Sequence, residues 1–181
     1  MPDLFSGLIT SKTRIKLLIR FFTNPDARAY LRELSREFNI SSNSVREELN
    51  HLTRTELLKS TRVDRKVYYS ANMSHPLLPE LKAMVKKVIG IDAVVDGIVN
   101  RLGELDFAYL IDDYAEGKDT GIIDLLIVGN VDMHHLNDLS RKTERYIKRK
   151  IRHLVMSQKE FEEFSPKFEN RPKLLIWKSK L

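Results

Sequence analysis

The chain has 181 residues, 42% of them hydrophobic and 31% charged, with 31 Lys+Arg set against 25 Asp+Glu. Such a composition can build a core, which excludes disorder along the whole chain, and the length suits one ordinary domain or two small ones. With no Cys, seven Gly and six Pro, it excludes a disulfide framework, a thiolate nucleophile, Cys-ligated zinc and a collagen-like or linker-rich protein.

Apolar stretches such as Ile122 to Val128 are far shorter than the roughly 20 residues that cross a bilayer. Near the start, Ile15 to Phe22 is broken by Arg20 and lacks a small-residue cleavage site, unlike a signal peptide. The expectation is a soluble cytoplasmic protein with no membrane partner. The positive charge is uneven. Residues 1–72 carry 13 basic and 8 acidic side chains, and residues 73–181 carry 18 and 17. An excess concentrated in the first part points to a polyanion partner there.

Ile15, Leu18, Ile19 and Phe22 have the spacing of an amphipathic helix, with Thr10 or Ser11 to cap it and Asn24-Pro25 to stop it. A second helix places Leu31, Leu34 and Phe38 on one face. After the break at Asn39-Ile40-Ser41, a third helix opens between Ser41 and Ser44, where Ser44 and Glu47 have capping-box spacing. Its buried stripe is Val45, Leu49 and Leu52. Two short helices separated by a tight break, after a longer one, form a helix-turn-helix pattern. Leu57 to Val63 and Lys66 to Ala71 then read as strands joined by the polar tip Asp64-Arg65, which adds a wing.

Opposite its apolar stripe, the third helix shows Asn43, Ser44, Arg46, Glu47, Asn50 and Arg54. Arg can donate two hydrogen bonds to guanine O6 and N7, and Asn can pair with adenine N6 and N7. Arg46 and Asn50, with Asn43 beside them, are the candidate base readers. Ser42, Ser44, Arg54 and the hairpin residues Arg62, Arg65 and Lys66 are candidate phosphate contacts. His51 reads as an ordinary helix residue. The segment LRELSREFNISSNSVREELNHL, followed by VYYSAN, resembles the winged helix of ArsR/MarR-type bacterial transcription regulators. One departure is Thr55-Glu56, where such proteins often have Gly. The resemblance implies binding to double-stranded DNA, commonly as a homodimer. Without Cys, the metal-sensing branch of that family is disfavoured.

Pro76 and Pro79 open a further segment whose stripe runs from Leu78 through Leu81, Val85 and Val88 to Val94, Ile98 and Leu102, ending at Gly103. Gly90 is expected to kink or split it. The stripe must be covered, either by a second copy of the chain or by its C-terminal domain.

Phe107 to Ile111, Ile122 to Val128, Ile151 to Met156 and Lys173 to Trp177 read as strands. Helices are expected from Met133 to about Lys150 and from Lys159 to Phe164, which together make a small α/β domain. The span AYLIDDYAEGKDTGIIDLLIVGNVD resembles the signature of the minimal nucleotidyltransferase fold of the DNA polymerase beta superfamily. By that resemblance, Asp112-Asp113 stand in place of a Gly-Ser nucleotide grip, and Gly117 keeps the following turn. Ile122 takes the place of the first metal-binding Asp and Asp124 that of the second, while the strand Ile151 to Met156 supplies no third carboxylate. Two-metal transfer needs clustered carboxylates, and one Asp cannot hold a pair of cations. The expectation is a degenerate domain with no catalytic residues, metal or cofactor. A weaker option is that Asp112, Asp113 and Asp124 make a new cation site. The run Arg141, Lys142, Arg145, Lys148, Arg149, Lys150 and Arg152 is a solvated face or a second contact to nucleic acid.

The expected protein is α+β. A winged helix-turn-helix domain at 1–75 and a connecting helix at 76–103 lead to a nucleotidyltransferase-like domain at 104–181. Its expected function is transcriptional regulation through DNA, with the second domain as sensor or interaction module for an unidentified effector or protein. The rival readings are an active nucleotidyltransferase with a DNA-binding domain and an antitoxin-like interaction module.

Overall fold

The computed structural model describes residues 9–24 and 26–179. The expected helix stop at Pro25 and the outermost residues of the two expected domains lie outside them. The chain divides into two compact units at the Val85–Lys86 junction. That division falls within the helical span expected at 76–103.

In the first unit, α1 (Lys12–Phe22), α2 (Leu31–Phe38) and α3 (Ser42–Arg54) accompany a small antiparallel sheet. Its strands are β1 (Arg28–Tyr30), β2 (Leu58–Val63) and β3 (Lys66–Ala71), in the order β1-β3-β2. This is the winged helix-turn-helix arrangement. Leu18, Phe22, Leu34, Val45, Leu49 and Leu52 are all buried, and α3 packs against both α1 and α2. Ion pairs tie the helices together. Arg14 donates to Glu48 at 2.7 Å, and the buried Arg20 reaches Glu37 at 3.3 Å. Burial raises the Glu48 carboxyl, but hydrogen bonds from Ser11 and Arg14 outweigh it and hold the group below the usual carboxylate range.

Three local features depart from the expected pattern. The side chain of Ser41, not Ser44, caps α3 by accepting from the Ser44 N–H at 3.2 Å. The Ser44–Glu47 capping box does not form, because Ser44 already lies in the first helical turn. Strand β1 is an addition to the expected elements. It has only three residues, and its pairing of Ala29 with Tyr69 comes from β3, far along the chain. Glu56, where a glycine is expected by resemblance, has φ +58. Its carbonyl accepts from Asn72 Nδ2 at 2.8 Å, which holds a non-glycine residue in the left-handed region.

The helix α4 (Leu78–Ile89) ends at Gly90, whose φ of +85 breaks the stripe before α5 (Ile91–Gly97) begins. A single 3-10 turn comes next at Val99–Arg101. The second unit is then a four-stranded sheet in the order β6-β5-β4-β7. Its strands are β4 (Leu105–Ile111), β5 (Ile122–Gly129), β6 (Lys150–Met156) and β7 (Lys173–Lys178). The β5–β6 pair is parallel, joined through α7 (Met133–Ile147), and the other pairs are antiparallel. The short α6 (Asp112–Ala115) comes after β4, and α8 (Gln158–Phe168) precedes β7.

Alternation along β5 explains the layering. Leu126 and Val128 join Ile111, Met156 and Phe168 in one buried cluster, with Phe107, Tyr109, Phe161 and Phe164 packed against it. Ile123, Leu125 and Ile127 point the other way and are fully buried, as a strand covered on both faces requires. No helix among the described residues is long and apolar enough to cross a membrane.

Candidate nucleic-acid interface

On α3, Val45 and Leu49 are completely buried, whereas Asn43, Ser44, Arg46, Glu47, Asn50 and Arg54 are exposed. The amphipathic spacing therefore turns the candidate base readers to solvent. Arg46 Nη1 donates to Asn43 Oδ1 at 3.0 Å, so two of them are held side by side at the start of the helix. Ser42 lies beside Ser35, with the hydroxyls 3.0 Å apart. The hairpin closes with Val63 opposite Lys66, leaving Asp64 and Arg65 as a two-residue tip. Asp64 takes φ +52 there, and Arg62 Nε donates to its carbonyl at 3.4 Å. Lys66 does not extend from the tip. Its ammonium sits 4.6 Å from the centre of the Tyr30 ring, a cation–π contact that leaves the charge facing water.

Two concave surfaces flank α3. One lies between α3 and the wing and is lined by Glu47, Asn50, Thr53, Arg54, Ser60 and Tyr69. The other lies at the turn between α2 and α3 and is lined by Arg32, Ser35, Arg36, Asn39, Ile40, Ser41 and Ser42. Sequence reasoning missed Tyr69, Ser60, Arg32 and Arg36. For the two arginines a signal existed, since both lie on the polar face of a helix entering the helix-turn-helix turn. Tyr69 and Ser60 join the groove only because they pair across β2 and β3.

In the second unit, two of the carboxylates picked out by resemblance, Asp112 and Asp124, are engaged by arginines. Asp112 opens α6 at φ +59, the region where glycine is at ease and Asp is tolerated. Its two oxygens accept from Arg171 Nε and Nη2, each at 2.6 Å. Asp124 on β5 lies opposite Arg152 on the neighbouring parallel strand. The Arg152 guanidinium forks both of its oxygens at 2.7 and 2.9 Å. The Asp124 side chain is 13% exposed and that of Arg152 is 67% exposed. Asp113 is exposed, and Gly117 takes φ +79 in the turn after α6. Among the described residues, no three His, Asp or Glu side chains gather where they could hold a metal ion. Asp112, Asp113 and Asp124 therefore do not form the alternative cation site, because two of them are turned onto guanidinium groups.

The Arg171 fork holds the Asp112 carboxyl below its ordinary range, and the charge of Arg152 acts the same way. A second network joins Tyr114, Asp119 and Arg149. Arg149 Nε donates to Asp119 at 3.1 Å, and the Tyr114 hydroxyl donates to the same carboxylate. Burial pushes the Asp119 carboxyl up, but its bonds from Arg149 and Tyr114 outweigh that and leave it lowered. A carboxyl lowered in the folded state contributes stability above its unfolded value and loses it as the pH falls. Asp119→Asn is therefore expected to flatten the acid limb. In urea titrations below about pH 4, the wild-type chain should lose stability faster than the variant. Parallel curves would exclude the linkage.

No family model and no curated protein matches the chain. Among solved structures, reduced HlyU from Vibrio cholerae N16961 is similar at 19% identity and a TM-score of 0.37. That match covers 48% of this chain and 83% of the other.

Proposed function

We propose that the chain is a DNA-binding transcriptional regulator of the ArsR/MarR-like kind. It reads double-stranded DNA with α3 and its wing, and it carries a second unit that serves sensing or interaction instead of catalysis. The observation that carries this reading is the exposed polar face of α3, set opposite fully buried Val45 and Leu49 and beside the basic hairpin. Arg46 and Asn50 are the readers of base edges. Ser42, Ser44, Arg54, Arg62 and Arg65 hold phosphates, and the start of α3 supplies backbone N–H groups to them. A homodimer on a two-fold site is part of the proposal.

For the second unit, the nucleotidyltransferase resemblance is read as a degenerate one. Asp124, which takes the place of a metal-binding Asp, is paired with Arg152, and Asp112, which stands in the nucleotide grip, is paired with Arg171. A guanidinium beside each carboxylate supplies the positive charge that a cation would bring.

Selection of bound fragments from the native genome, followed by titration of the best one at several salt concentrations, tests the proposal. Arg65→Ala should weaken binding evenly across sequences and make the salt slope shallower by about one. Arg46→Ala should blur the choice of a single base, with a loss of about 1–3 kcal/mol there. Absence of salt-dependent binding to any fragment at low ionic strength would refute it. Incubation with labelled nucleotide and magnesium is expected to give no transfer. Transfer that Asp124→Asn abolishes would overturn the non-catalytic part.

A further inference from the structure

The basic run beginning at Arg141 is split by the fold into two sets. Arg149 turns onto Asp119, Lys150 bonds Glu144 at 2.9 Å and Arg152 is forked onto Asp124. Those three are neutralised within the protein. Arg141, Lys142, Arg145 and Lys148 are exposed and lie along the outer side of α7 and its end. At 100° per residue, His134, Arg141, Lys142 and Arg145 fall within about 100° of arc. The buried residues Leu136, Leu139, Ser140, Thr143 and Ile147 occupy the opposite side.

The acids of the helix leave this stripe positive. Glu144 faces away, accepting from the Ile151 N–H at 2.8 Å as well as from Lys150. Asp138, with its side chain 45% exposed, is the one carboxylate within that arc, and it pairs with Arg141 at 2.5 Å, which leaves the cations in excess. Lys142, Arg145 and Lys148 have no ion-pair partner among the described residues. Tyr146, 62% exposed, stands at the margin of the stripe with its ring open to solvent.

A row of cations running about 10 Å along a helix matches the charge density of a duplex, which carries one phosphate per roughly 3.4 Å of each strand. A helix C-terminus gains from one or two cations in its last turn, but that does not account for a line extending back to Arg141. We propose that this face of α7 is a second contact to double-stranded DNA, one that binds the sugar–phosphate backbone without reading sequence. The proposal takes its duplex from the reading of α3 but stands on separate residues.

The test uses the full chain and a labelled duplex of mixed sequence about 40 base pairs long, titrated by fluorescence anisotropy across a salt series. Two triple variants are compared with wild type: Arg141→Gln with Lys142→Gln and Arg145→Gln, and Arg46→Gln with Arg62→Gln and Arg65→Gln. All six side chains are exposed, and circular dichroism confirms that each variant is folded. The α7 variant is expected to give a salt slope shallower by about two to three units, at roughly 0.9 per lost phosphate contact. A folded α7 variant with the wild-type slope overturns the proposal. So does one that keeps the slope but loses binding to polyglutamate, which marks a surface for acidic protein instead. If the α7 variant loses slope while the α3 variant keeps all of it, the α7 contact stands and the α3 reading falls. If wild type itself shows no salt-dependent binding, both fall.

Discussion

Gly129→Ala is expected to destabilise the second unit by about 3 kcal/mol, combining backbone strain with overpacking, and to lower its melting temperature by roughly 15 °C. Gly129 ends β5 at φ +149, a conformation that side chains rarely adopt. A Cβ there would lie 2.7 Å from the Glu104 carbonyl oxygen and 3.0 Å from Leu105 Cα. Both are backbone atoms at the start of the strand that pairs with it, where the register shifts between Leu105 and Phe107, so no side-chain rotation relieves the overlap. Gly121 provides the control. It has φ +82, and nothing lies within 4 Å of its would-be Cβ. Gly121→Ala should therefore show only the conformational term, about 1 kcal/mol. Calorimetry on the two variants separates the effects, and equal melting temperatures would mean that the close approach is without consequence.

Leu49→Ala should cost about 2–5 kcal/mol, because it removes a fully buried side chain from the middle of the helical core and leaves a cavity. Against a typical stability of about 5–15 kcal/mol, a loss of that size leaves the first unit marginal or unfolded. Binding to DNA should fall with it, since α3 is held to α1 and α2 through this seam. The informative comparison is Arg46→Ala on the exposed side of the same helix. That variant should melt like wild type and lose discrimination, whereas Leu49→Ala should lose thermal stability and binding together. Thermal melts run beside anisotropy titrations read both. A Leu49→Ala chain that melts normally would mean that the seam does not hold the helix.

Periodicity made the helices legible, because a stripe such as Val45, Leu49 and Leu52 has one buried solution. In the wing, the polar tip Asp64-Arg65 between two strand-like runs carried the signal. The exposed polar face of α3 came directly from the helical periodicity, since it is what remains when the stripe turns inward. Three-residue β1 was not legible, as so short a run has no period and exists only through its pairing with β3. The choice between Ser41 and Ser44 as cap depended on where the αL residue Asn39 ended the preceding helix, which composition does not encode. Least legible were the arginine partners of the carboxylates. Arg171 is 59 residues from Asp112, and Arg152 is 28 from Asp124. Inspection of the acids alone finds a defective cation site. The fold shows Asp112 and Asp124 already answered. The basic run was only partly legible for the same reason, because adjacency in sequence grouped seven cations of which the fold pairs Arg149, Lys150 and Arg152 with Asp119, Glu144 and Asp124.

The pairing of Asp124 with Arg152 bears on how the sheet assembles. Parallel strands joined through a helix meet only after a long loop has closed, and a slip of one residue would turn every β6 side chain to the wrong face. Displaced by one position, Asp124 would face Ile151 or His153 and have no guanidinium to answer it. The fork thus adds to the alignment that the buried faces already demand, since a displaced register would leave a largely buried carboxylate without its guanidinium.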